Sequence, residues 1–79
     1  MYYLYILECS DKTLYTGITT DLARRVGEHN LSKLGARYTR ARRPVKLLYS
    51  KKFKNRSAAG REESLVKKFS RTEKLKLVN

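Results

Sequence analysis

The chain has 79 residues, and its 19 Lys and Arg against 7 Asp and Glu leave a formal net charge of +12. That length predicts one small domain over residues 1–79, and a hydrophobic content of 41% argues against disorder. A single cysteine, Cys9, excludes an intramolecular disulfide and predicts a cytoplasmic protein, while the longest apolar run, Tyr2 to Leu7, is too short to span a membrane.

Tyr2 to Cys9 is apolar on both alternate faces, which predicts a strand covered on both sides. Ser10-Asp11-Lys12 is a turn signal, and Thr13 to Ile18 predicts the returning strand of a hairpin. Thr19-Thr20-Asp21 offers helix caps, and Leu22 to Asn30 sets Leu22, Val26 and His29 on one helical stripe. From Leu31 to Pro44 the pattern breaks down into a Gly- and Arg-bearing loop, expected to be mobile without ligand. Val45 to Phe53 predicts a third strand with Val45, Leu47, Tyr49 and Phe53 on one face. Asn55-Arg56-Ser57 opens a second helix running to about Phe69, with Ala58, Leu65, Val66 and Phe69 as its apolar stripe. Ser70-Arg71-Thr72-Glu73 is a capping-box pattern that starts a terminal helix through Leu75, Leu77 and Val78. The expected class is α+β: a small, largely antiparallel three-stranded sheet flanked by helices, in the order ββαβαα.

The positive charge is concentrated. Between Glu28 and Glu62 there is no acid, and the window holds Lys33, Arg37, Arg40, Arg42, Arg43, Lys46, Lys51, Lys52, Lys54, Arg56 and Arg61. Tyr38, Tyr49 and Phe53 are interleaved with these cations, and solubility alone needs far less charge. The window predicts contact with nucleic acid, DNA or RNA, rather than with a membrane surface, for which the amphipathic helical pattern is missing.

Tyr5 and Tyr15 lie ten apart across the predicted hairpin. A turn centred near Ser10 with an odd number of loop residues pairs them directly and points both to one face. By itself that is also a stabilising cross-strand aromatic pair. Gly17 sits inside the second strand, where a glycine marks a bulge or the close approach of another group. Arg25 and His29 share a helix face at i, i+4; the plain alternatives are an Arg25–Asp21 surface ion pair and a buried, satisfied histidine. On the second helix Glu62 falls inside the apolar stripe and Glu63 on its margin, so periodicity alone makes Glu62 the odder residue. One His and one Cys make no zinc site, and no Gly-rich phosphate loop is present. A lone carboxylate suits a hard divalent ion shared with a phosphate.

Leu4-Tyr5-Ile6 followed by Tyr15-Thr16-Gly17, Arg25, Glu28-His29-Asn30 and Ala59, Glu63, Val66, Lys67 resembles the GIY-YIG nuclease family, and small stand-alone bacterial members in particular. The resemblance covers essentially the whole chain. It departs from both motifs while sparing the tyrosine in each and the glycine in the second, and Ile18-Thr19-Thr20 lacks the lysine that some branches carry there. The asparagine common downstream of the glutamate has only Asn79 as a counterpart. The resemblance implies a DNA endonuclease that uses Mg²⁺ or Mn²⁺, acting on branched or damaged DNA in repair or recombination. It implies Glu63 rather than Glu62 as metal ligand, and Tyr5, Tyr15, Arg25 and His29 as catalytic groups. In that scheme Tyr15 positions or deprotonates water and Tyr5 or His29 assists. The alternative is a nucleic-acid-binding module of the same fold that cleaves little.

Overall fold

Strand β1 (Tyr2–Glu8) occupies the middle of an antiparallel sheet of order β2-β1-β3, between β2 (Leu14–Thr19) and β3 (Lys46–Phe53). The structure, a computed structural model, describes residues 1–31 and 34–78. A central strand covered on both faces must be apolar at successive positions, and Leu4, Tyr5, Ile6 and Leu7 are all buried. Even-numbered β1 residues meet one cluster, with Leu4 and Ile6 packed on Val66 and flanked by Leu14, Ile18, Tyr49, Phe53, Phe69 and Leu77. The odd-numbered ones meet another, in which Tyr5, Leu7 and Cys9 join Val45, Tyr15, Leu22 and Val26. Helix α1 (Leu22–Leu31) therefore covers the Tyr5 face, and α3 (Arg56–Lys67) covers the opposite face.

The β1–β2 hairpin closes through Ser10, Asp11 and Lys12. Cys9 N–H donates to the Thr13 carbonyl and Lys12 N–H to the Cys9 carbonyl, both at 2.9 Å, while Lys12 adopts the left-handed region at φ 70°. The turn is thus centred on Asp11, one residue later than the sequence suggests. Moving the centre by one residue moves each cross-strand partner by two, so Tyr5 pairs with Gly17 and Tyr15 with Leu7. The expected direct Tyr5–Tyr15 pair is corrected to a diagonal one. Both rings still share a face, because a shift of two preserves the side-chain parity.

A bulge interrupts the β1–β3 ladder, where Ile6 pairs with Tyr49 but Leu7 pairs with Leu47. The extra residue, Leu48, reverses the alternation. Val45 and Leu47 consequently share the Tyr5 face, whereas Tyr49 and Phe53 pack on the Leu4 and Ile6 face. The single apolar face expected for Val45 to Phe53 is therefore wrong.

The helix starts follow their capping residues. Asp21 Oδ1 accepts the Arg24 N–H at 3.1 Å, and Asn55 Oδ1 accepts the Ala58 N–H at 2.9 Å. The predicted capping box closes reciprocally before α4 (Arg71–Val78): Ser70 N–H donates to Glu73 Oε1 at 2.8 Å and Glu73 N–H to Ser70 Oγ at 3.2 Å. On α3 the fully buried residues are Ala59 and Val66, and Phe69 packs beside Val66 as expected, while Leu65 is 54% exposed and Ala59 takes the inward place expected for Ala58. The segment expected to be a plain loop contains a short helix, α2 (Arg37–Arg40), so the element order is ββααβαα. Gly35 precedes it where the backbone runs against the end of α1; a Cβ there would lie 2.6 Å from the Glu28 carbonyl oxygen. Asn30 ties the end of α1 to β3, accepting the Val45 N–H at 2.7 Å and donating to the Val45 carbonyl at 3.0 Å. Among the described residues no helix is long and apolar enough to cross a membrane.

Candidate active site

Tyr5 stands at the centre of the arrangement. Its ring projects from β1 over Gly17 on the neighbouring strand, where a Cβ would sit 2.5 Å from Tyr5 Oη and 2.7 Å from Cζ. The strand glycine thus marks a close approach, and the group that approaches is the tyrosine itself. Tyr5 Oη lies 2.9 Å from His29 Nε2, and the Arg25 guanidinium is near enough for its charge to act on this hydroxyl. Burial pushes the phenol above its ordinary pKa against the pull of Arg25, and the charges of Tyr15 and Glu63 act in the same upward direction as burial.

His29 arrives from α1 completely buried. Its Nδ1 lies 2.8 Å from Thr39 Oγ1 on α2. Burial pushes its pKa down to about 4, with Arg25 adding a repulsive charge, so the imidazole is neutral at pH 7. Arg25, one turn earlier, donates from Nη1 to Glu28 Oε1 and to the Leu34 carbonyl, each at 2.8 Å. The Arg25–Asp21 ion pair suggested by spacing gives way to Arg25–Glu28.

Tyr15 belongs to the same group through its ring. It lies 6.5 Å from Tyr5 and 5.2 Å from His29, and it stacks on Tyr38 at 6.0 Å. The Arg42 guanidinium sits 4.0 Å from the Tyr38 ring and bonds Asp11 at 3.0 Å, so the hairpin turn and α2 hold this aromatic layer from outside.

Glu63 comes from α3, across the sheet from α1, and its Oε2 lies 3.2 Å from Lys67 Nζ. Glu63, on the margin of the apolar stripe, is a carboxylate whose charge acts on Tyr5. Among the described residues no three His, Cys, Asp or Glu are grouped to hold a metal ion. One partly exposed carboxylate is a hard oxygen donor, compatible with an ion that takes its remaining ligands from water and phosphate.

Tyr5, Tyr15, Arg25 and His29 therefore converge, and the charge of Glu63 acts on Tyr5. The family model described as the GIY-YIG catalytic domain matches residues 1–76. The chain belongs to the GIY-YIG family.

A UPF0213 protein of Desulfotalea psychrophila is 53% identical over 77 residues, spanning 98% of this GIY-YIG chain and 70% of the relative. One from Streptococcus agalactiae is 59% identical over 73 residues, spanning 92% and 82%. Among solved structures, a UPF0213 protein from Bacillus halodurans in solution matches with a TM-score of 0.62 at 47% identity, covering 99% of this chain and 83% of that one. A protein from E. faecalis gives a TM-score of 0.63 at 41% identity, covering 92% and 77%.

The cations predicted to contact nucleic acid divide into two groups in this GIY-YIG domain. Arg42 is held by Asp11 and the Tyr38 carbonyl. Arg43 donates to the His29 and Glu28 carbonyls at the end of α1, and Lys46 pairs with Glu8 at 3.3 Å. These three have structural work to do within the domain. Lys51 lies over the Phe53 ring at 5.4 Å. Arg37, Arg40, Lys52, Lys54 and Arg56 are exposed, and Lys33 lies outside the described residues, as does Asn79. Thr39 carries no sequence signal as a site residue, because a Thr inside a basic segment resembles ordinary surface, and Tyr38 stands out in the sequence only as an aromatic among cations.

Proposed function

We propose that this GIY-YIG domain is a divalent-metal-dependent endonuclease that hydrolyses phosphodiester bonds in DNA, with branched or damaged DNA as the substrate class. The observation that carries the reading is the Tyr5 hydroxyl set 2.9 Å from a neutral, buried His29, with the positive charge of Arg25 acting on it. A phenol with an ordinary pKa of about 10 is a poor base by itself. Tyr5 has a proton acceptor in place at 2.9 Å, so it can take a proton from attacking water while passing its own to His29. Arg25 would offset the negative charge that develops on the phenol oxygen and on the phosphate beyond it. Tyr15, packed against the rings of Tyr5, His29 and Tyr38, would border the space where the water and phosphate sit. Glu63 would hold the metal ion with water and the scissile phosphate. Once bound, a divalent ion would neutralise phosphate charge and acidify a coordinated water. The exposed cations Arg37, Arg40, Lys52, Lys54 and Arg56 would supply salt-dependent grip on the backbone.

The test is cleavage of supercoiled plasmid and of a four-way junction with Mg²⁺ or Mn²⁺, using wild type, Tyr5→Phe and Glu63→Ala. Cleavage by wild type should fall at least about 100-fold in each variant, the scale of a lost acid–base group. Equal cleavage by all three would refute the reading. Salt-sensitive binding without cleavage in any of them would favour the binding module instead, and a preference for RNA in that assay would redirect the substrate class.

A further inference from the structure

The structure assigns Thr39 the role of a positioning residue that fixes which nitrogen of His29 carries the proton, and through it the direction of the Tyr5 hydroxyl. The assignment rests on the proposed role of Tyr5 and His29, and follows from counting donors. A threonine hydroxyl has one hydrogen. Thr39 Oγ1 lies 2.9 Å from the Ala36 carbonyl oxygen, and a carbonyl can only accept, so that hydrogen points to Ala36. At its second contact, 2.8 Å from His29 Nδ1, the hydroxyl oxygen must therefore accept. Nδ1 then carries the imidazole hydrogen, which leaves Nε2 bare in a neutral ring. Tyr5 Oη, 2.9 Å from Nε2, must donate to it. Arg25, whose charge acts on this hydroxyl, has only donors and so offers the phenol hydrogen no competing acceptor.

The chain of hydrogens runs one way, from Tyr5 through His29 and Thr39 to the Ala36 carbonyl. Its far end is anchored on the backbone, which cannot reverse it. Were the chain reversed, Nε2 would carry the hydrogen and the Tyr5 proton would point away from its acceptor. When His29 gains the Tyr5 proton at Nε2, its Nδ1–H keeps the same acceptor, so no partner must rearrange. Thr39 is fully buried, as is His29, so water does not compete for either end. The short helix α2 thereby brings Thr39 against His29 of α1. It also closes the chain on its own first turn, where Thr39 N–H bonds the Ala36 carbonyl at 3.1 Å.

The experiment is long-range proton–nitrogen NMR of the imidazole, since this chain contains one histidine, with wild type, Thr39→Val and Thr39→Ser compared at neutral pH. Wild type and Thr39→Ser should show His29 protonated on Nδ1. Thr39→Val keeps the side-chain shape but offers Nδ1 no acceptor, and its tautomer population should move toward Nε2–H. A wild-type ring protonated on Nε2, or a Thr39→Val ring unchanged from wild type, would overturn the assignment. DNA cleavage gives the second readout: Thr39→Val should lower kcat about tenfold or more with KM little changed, and Thr39→Ser should recover most of it. The predicted tautomers in a protein that cleaves no DNA would uphold the positioning role and refute the nuclease reading. Full activity in a Thr39→Val protein with an altered tautomer would uphold the nuclease and refute the role.

Discussion

Adding one methyl group at Gly17 tests the link between strand register and site. A Cβ there would lie 2.5 Å from Tyr5 Oη and 2.7 Å from Cζ, whereas ordinary van der Waals contact begins at 3.4 Å. The ring must retreat by about 1 Å, and a 2.9 Å hydrogen bond to His29 does not survive a displacement of that size. Overpacking of a well-filled core costs about 1–3 kcal/mol, and loss of the buried hydrogen bond adds about 1 kcal/mol. For a domain of this size the sum lowers Tm by on the order of 10–20 °C. Thermal unfolding of Gly17→Ala monitored by circular dichroism measures the loss, with the double variant Tyr5→Phe, Gly17→Ala as partner. Removing Oη removes the nearest clash, so the methyl should cost less in the Tyr5→Phe background than in wild type. A Gly17→Ala protein as stable as wild type, or a methyl costing the same in both backgrounds, would refute the claim that Gly17 makes room for the tyrosine.

Two further outcomes follow from groups described above. Thr16 Oγ1 is buried without a hydrogen-bond partner, so Thr16→Val should stabilise the domain by about 1 kcal/mol, read as a higher denaturation midpoint; a fall would show that the hydroxyl is satisfied. His29 has a folded pKa of about 4 against an ordinary 6.5, so the unfolded chain binds the extra proton first. Stability should therefore be level above about pH 6.5 and decline by about 3 kcal/mol as pH falls to about 4, which urea unfolding at stepped pH would record. An imidazole that titrates by NMR near its ordinary value would contradict that burial.

The sequence carried local order well and long-range register less well. The caps at Asp21, Asn55 and Ser70, and the continuous apolar run of β1, are written within a few residues of where they act, and all are present in the structure. Register depends on where the turn is centred, and Lys12 at positive φ is a conformation that its residue type does not announce. The bulge at Leu48 is equally hidden, because Leu47, Leu48 and Tyr49 are all apolar and either parity fits the letters. Helix α2 has no side-chain cap and only one turn, so nothing local predicts it; contacts made by Thr39, Tyr38 and Arg42 to distant elements hold it in place. The site was legible as residue types but not as a hydrogen-bond chain. Tyr5, Arg25 and His29 could be singled out by spacing, while Thr39 gains meaning only once α2 folds back against α1.

Strand β3 has a consequence for how copies of this protein meet. It forms an outer edge of the sheet, and an outer edge offers unpaired backbone groups to any passing strand. Here the edge carries Lys46, Lys51 and Lys52 and is bent in the middle by the Leu48 bulge. A second sheet approaching in register would bring lysines against lysines along a line that is not straight. The charge that suits a polyanion is therefore also a barrier to fibre growth, and neutralising it would remove both properties together.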